Sequence, residues 1–182
     1  PVVDGDVLPT NPVTDESFPE AGRDIPLLIG SNLNEWLGTL PSPVTVEPSQ
    51  ELDEAIAAAY PNEDGLTVDQ IDSTIIRLPI LKIMTHKADQ NGAPVYAYMF
   101  TYGHSYHGAE IPYVFDNLTN ATEQEKELAH NISQAWINFA KTGVPSSDGL
   151  PAWEPYTREN GATMILDTES EMAYHHDQQL ME

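Results

Sequence analysis

The sequence of 182 residues contains no cysteine, which excludes a disulfide framework, a thiol nucleophile and a thiolate zinc site together. Basic residues are scarce, with 7 Lys and Arg against 29 Asp and Glu and a formal charge of −22. Such a surface repels a nucleic-acid backbone and an anionic membrane alike, so neither is expected as a partner. Long apolar runs are missing too, and none approaches the roughly 20 residues that a membrane helix needs. No internal repeat or low-complexity tract breaks the chain. It opens on Pro1 with no initiator methionine and no charged-then-apolar leader, so processing or truncation is expected to have removed whatever came first.

What is present is a hydrophobic content of 40%, enough for the core of one domain. After an irregular lead-in from Pro1 to Glu20, the run Asp24-Ile25-Pro26-Leu27-Leu28-Ile29-Gly30 is unbroken apolar and closed by glycine. That pattern predicts a strand buried on both faces of a parallel sheet at 25–30. Pro41, Pro43 and Pro48 keep the next segment extended. Ser49 then caps a short amphipathic helix with Leu52, Ala55, Ile56 and Ala59 on one face and Pro61 beyond its end. Thr67-Val68-Asp69-Gln70 fits a capping box for a second helical region through Ile71, Ile75, Leu78, Ile83 and Met84, which Pro79 must kink or divide before Asn91-Gly92 ends it.

Residues 94–100 alternate, with Val95, Ala97 and Met99 facing one way and Tyr96, Tyr98 and Phe100 the other, as suits a strand in a sheet covered by helices on both sides. Thr122 and Glu125 form a further capping box ahead of a helix over 123–141, whose stripe is Leu128, Ile132, Ala135, Trp136 and Phe139 and whose stop is Gly143. Ala162-Thr163-Met164-Ile165-Leu166-Asp167 predicts a last strand, and the polar tail after Ser170 is expected to fray. Strand, helices, strand, helix, strand is the order of an α/β fold.

In an open α/β sheet, ligands and catalytic groups collect beyond the carboxyl ends of the strands. Two loops qualify, one ending in Glu35 and the other, Gly103-His104-Ser105-Tyr106-His107-Gly108-Ala109-Glu110, carrying His107. Within hydrogen-bonding distance, Glu35 and His107 would make the acid and base of a nucleophilic triad, with the nucleophile upstream. His104, His107 and Glu110 would instead supply imidazole and carboxylate ligands for zinc if they shared a helix face, which Gly103, Gly108 and Pro112 disfavour. Gly103-His104-Ser105-Tyr106-His107 is the nearest thing in the chain to a Gly-x-Ser-x-Gly elbow, but its fifth residue is histidine and Pro112 discourages the helix that should follow. Ser105 therefore reads as a loop hydroxyl. His175-His176 reads as an exposed tail pair, and the sequons at Asn117, Asn120 and Asn131 are short enough to arise by chance.

Five blocks carry a resemblance over nearly the whole chain. They are Val2-Val3-Asp4-Gly5-Asp6-Val7-Leu8-Pro9; Pro26-Leu27-Leu28-Ile29-Gly30-Ser31-Asn32 with Glu35; Pro94-Val95-Tyr96-Ala97-Tyr98 with Phe100; His107-Gly108-Ala109-Glu110-Ile111-Pro112-Tyr113-Val114-Phe115; and Ala135-Trp136-Ile137-Asn138-Phe139-Ala140-Lys141-Thr142-Gly143 with Pro151-Ala152-Trp153. In this order they resemble the C-terminal part of type-B carboxylesterases, the α/β-hydrolase family of para-nitrobenzyl esterases and cholinesterases.

The resemblance implies an α/β fold, a mostly parallel sheet flanked by helices, with residues 1–182 as the C-terminal segment of a single α/β-hydrolase domain. It implies Glu35 as triad acid, His107 as general base and Glu110 as a support behind them, with no cofactor. The separation of acid and base, 72 residues, is shorter than in animal cholinesterases and implies a trimmed lid region. Trp36 would stand at the gorge edge and Trp136 in the core. The family's elbow serine and Gly-Gly oxyanion loop have no counterpart here. The expected partners are thus a small carboxylic ester and the remainder of an esterase chain, and the segment alone is expected to be inactive. The rival expectation is a cholinesterase-like interaction module that has lost its chemistry.

Overall fold

The computed structural model describes residues 2–6, 17–35 and 76–176. The helix expected after Ser49, the capping box at Thr67 and the gorge-edge Trp36 lie outside these residues. Strands β1 (Leu27–Asn32), β2 (Val95–Phe100), β3 (Thr163–Leu166) and β4 (Glu171–Ala173) form one sheet in the order β1-β2-β3-β4. β1, β2 and β3 run parallel and β4 is antiparallel to β3. Helix α1 (Leu78–Asp89) lies between β1 and β2 in the chain, and α2 (Ile111–Val114) and α3 (Glu123–Thr142) between β2 and β3. The alternation expected from the sequence is therefore the architecture observed.

The period-two pattern of β2 sorts the core. Tyr96 and Phe100 join Met164 and Leu166 of β3 and Leu128, Ala129, Ile132 and Ala135 of α3 in one buried cluster. Val95 and Ala97 join Leu81 and Met84 of α1, with Tyr156, in another. Because successive strand residues point to opposite faces, one strand is covered by a helix on each side. Aromatic edges fill the α3 side: Tyr98 meets Trp136 at 5.1 Å and Trp136 meets Trp153 at 6.0 Å between ring centroids. The buried Trp153 indole N–H donates to the Ala97 carbonyl at 3.1 Å, which satisfies its one polar atom.

Three details differ from the expectations drawn from the sequence. β1 begins two residues later than expected, where the Leu27 N–H reaches the Pro94 carbonyl at 3.0 Å, and it is half-buried over most of its length. An apolar run registers burial but not the residue at which pairing starts, and Pro26 has no N–H to give. The part of the expected helical region before residue 76 lies outside the described residues; Pro79 stands in the first turn of α1, just after a π-helical turn at 76–77, where a missing N–H is tolerated. For the same reason Pro112 is tolerated at the start of the one-turn helix α2, which the sequence reading had discouraged. Finally, the tail beyond Ser170 does not fray at once. Met172 packs against the α3-side core, and Glu171–Ala173 adds the antiparallel strand β4.

Candidate active site

The sheet ends where the chemistry begins, because the parallel pairing of β1 and β2 continues beyond it into the two loops. The Leu33 N–H donates to the Phe100 carbonyl at 2.9 Å, the Asn34 N–H to the Ser105 carbonyl at 3.1 Å, and the His107 N–H to the Glu35 carbonyl at 3.1 Å. Asn34 and Tyr106 form an isolated parallel bridge. Main-chain bonds alone thus bring residue 35 beside residue 107. Their side chains then meet, with Glu35 Oε2 2.7 Å from His107 Nδ1.

Burial distributes the roles unequally. The Glu35 side chain is 12% exposed and that of His107 68%, so the carboxylate is sheltered and the imidazole faces outward. A buried carboxylate needs both oxygens satisfied. Glu35 Oε1 accepts the Asn32 N–H at 2.8 Å and Oε2 faces the imidazole. With an ionised acceptor at Nδ1, the neutral ring carries its proton there and its lone pair at Nε2.

Glu110 is held by Asn32. Its Oε2 accepts from the Asn32 side-chain amide at 2.5 Å, and the same amide donates to the Tyr106 carbonyl at 2.7 Å. Asn32, which the sequence reading quoted without giving it a part, therefore contacts both loops. The signal was present as an amide at a strand end three residues before a carboxylate, but that spacing is too common to single out. The Tyr98 hydroxyl is also drawn in: burial pushes its pKa well above the ordinary phenol range, the negative charges of Glu110 and Glu35 push it further, and Arg77 opposes them.

The other candidates separate from this centre. Gly103 and Gly108 adopt φ of 63° and 76°, conformations that break a helix, so His104, His107 and Glu110 do not share a helix face. His104 contributes its carbonyl to the Asn34 side chain at 3.0 Å. Among the described residues no group of three His, Cys, Asp or Glu is placed to hold a metal. Ser105 is buried at 1% exposure, and its Oγ accepts from Asn34 Nδ2 at 3.2 Å, so its hydroxyl braces the two loops. His175 and His176 are exposed near the end of the described chain.

A mostly parallel sheet, helices on both faces and an acid and an imidazole at the carboxyl ends of adjacent strands define the α/β-hydrolase class. Residues 62–181 match the model of the carboxylesterase family, and the chain belongs to that family. It is 30% identical to a para-nitrobenzyl esterase of Bacillus subtilis (strain 168) across 93% of this chain and 39% of the relative. It is 28% identical to an acylcarnitine hydrolase of Rattus norvegicus across 92% of this chain and 38% of the relative. Among solved structures, a PNB esterase superimposes with a TM-score of 0.72 at 28% identity, covering 88% of this chain and 39% of the other. A Geobacillus stearothermophilus carboxylesterase gives 0.75 at 25% identity, covering 100% and 43%. The chain spans about two-fifths of the length of the curated relatives it matches. These relatives are named as an esterase and a hydrolase.

Proposed function

We propose that this chain supplies the acid and base of a serine carboxylesterase that cleaves carboxylic esters through an acyl-enzyme. The nucleophilic serine and the oxyanion hole come from residues outside these 182. The observation that carries the reading is the 2.7 Å contact between Glu35 Oε2 and His107 Nδ1, made at the carboxyl ends of two neighbouring parallel strands. In the first half-reaction His107 Nε2 takes the serine proton as the hydroxyl oxygen attacks the ester carbonyl carbon, and the imidazolium returns that proton to the departing alkoxide. In the second, the same nitrogen deprotonates the water that attacks the acyl-serine carbonyl carbon and returns that proton to the serine oxygen as the acyl–oxygen bond breaks and the carboxylic acid leaves. Glu35 keeps the proton on Nδ1 and offsets the positive charge of the imidazolium.

The test is steady-state hydrolysis of a short-chain nitrophenyl ester by the complete protein. His107→Ala and Glu35→Gln are each expected to lower kcat by about 10³- to 10⁴-fold, since the first removes the base and the second presents the wrong partner to Nδ1. The far-ultraviolet circular dichroism of both variants stays that of wild type. Turnover within tenfold of wild type in either variant refutes the assignment.

A further inference from the structure

We propose that Asn32 is a positioning residue that holds the base loop against the acid-bearing strand, a role that rests on the esterase reading above. Asn32 is the last residue of β1, in register with Phe100 of β2, and it is 4% exposed. Its main-chain N–H holds Glu35 Oε1. Its side-chain amide donates to the Tyr106 carbonyl and to Glu110 Oε2. Tyr106 immediately precedes His107 and Glu110 follows it by three residues, so the amide grips the base loop on both sides of the imidazole. One residue therefore fixes the acid through its backbone and the base through its side chain.

The chemistry of the contact accepts few alternatives. A primary amide has two N–H donors, and here they meet two acceptors that cannot themselves donate, one a carbonyl and the other a carboxylate. Among the described residues Asn32 Oδ1 is buried with no hydrogen-bond partner, and the contacts that orient the side chain there are those of its donors. An aspartate at this position would set an acceptor against two acceptors. Alanine would leave the Tyr106 carbonyl and Glu110 without their shared donor. In both cases the main-chain bond to Glu35 persists, so the loss falls on the placement of His107 and not on the acid. Asn32 is buried and acts on the base loop, so kcat and not KM is expected to carry the effect.

The experiment measures kcat, KM and thermal midpoint for the complete protein on a nitrophenyl ester, in wild type, Asn32→Ala, Asn32→Asp, Asn32→Asp combined with Glu110→Gln, and His107→Ala. A displaced base costs about 100-fold in kcat for Asn32→Asp and about tenfold for Asn32→Ala, with KM within about twofold of wild type. The combined exchange restores a donor facing an acceptor across the same contact and regains about tenfold over Asn32→Asp alone. If His107→Ala collapses turnover while the Asn32 variants stay within twofold of wild type, the positioning role is wrong and the esterase reading stands. A raised KM at unchanged kcat refutes the role as well. So does a loss of kcat that follows the thermal midpoint and is not regained by the exchange, which would make Asn32 merely structural. If His107→Ala itself retains turnover, the underlying reading falls instead.

Discussion

At the scale of single residues, Gly30 shows how one missing side chain shapes the site from below. A Cβ built there would stand 2.5 Å from carbons of the Tyr98 ring, and it would also crowd the Tyr98 carbonyl. Gly30 and Tyr98 are register partners on adjacent strands, so neither backbone can retreat without breaking the pairing that continues into the Glu35 and His107 loops. Glycine at this position leaves room for the Tyr98 ring to approach the neighbouring strand closely. Gly30→Ala is expected to destabilise the complete protein by about 1–3 kcal/mol through overpacking and to lower kcat by displacing the loops. Chemical denaturation measures the first and ester turnover the second. A variant with the wild-type midpoint and kcat would show that the close approach of Tyr98 is not a constraint.

Among the secondary-structure elements, α3 is the one whose ends are fixed by local chemistry. Thr122 and Glu125 complete a reciprocal capping box, and Gly143 closes the helix at φ 78°. The Glu125 carboxyl lies below the usual range because it accepts the Thr122 N–H and then the Thr122 hydroxyl, with the Tyr102 hydroxyl adding a smaller contribution. A carboxylate with a depressed folded pKa contributes stability that is present above its unfolded value and is lost as pH falls through the folded value. Thr122→Ala is therefore expected to cost about 1 kcal/mol at neutral pH, and the cost should shrink once Glu125 is protonated. Melting of wild type and variant at pH 7 and pH 3 measures it. An equal penalty at both values would mean that the bond from the Thr122 hydroxyl to the carboxylate adds nothing to the cap.

The same helix marks the boundary of what the sequence discloses. Its cap, stripe and stop are contiguous signals, and the expected span of 123–141 differs from the observed Glu123–Thr142 by one residue. β4 has no such signal, because Glu171–Ala173 is a strand only by virtue of β3 beside it. α2 is set by the loop that precedes it rather than by periodicity. For the candidate site, Glu35 and His107 were legible as two polar groups leaving one sheet edge, and the resemblance gave them roles. What joins them was not legible, since the backbone ladder from Leu33 to His107 and the Asn32 amide are contacts between residues more than sixty positions apart. Side chains that bridge loops follow from strand register, and register is a property of the assembled sheet.

At the scale of the whole molecule, the proposed function makes this chain the source of two members of a three-residue mechanism. Removing the serine or the histidine of a triad costs about as much as removing all three members, because the groups act as a unit. The 182-residue chain has no Gly-x-Ser-x-Gly elbow, and the serine of its own base loop is buried and hydrogen-bonded to Asn34. In addition, the outer edge of β1 pairs with no strand among the described residues, which leaves donors and acceptors available to another chain. Expressed by itself, this chain is expected to show ester turnover no greater than buffer and to self-associate. It should regain turnover when expressed together with the segment that supplies the serine and pairs with β1. Turnover by the chain alone that disappears in His107→Ala would place the nucleophile within these 182 residues and return Ser105 to consideration. A monodisperse, cooperatively melting product would show that the β1 edge is already covered and would overturn the expected self-association.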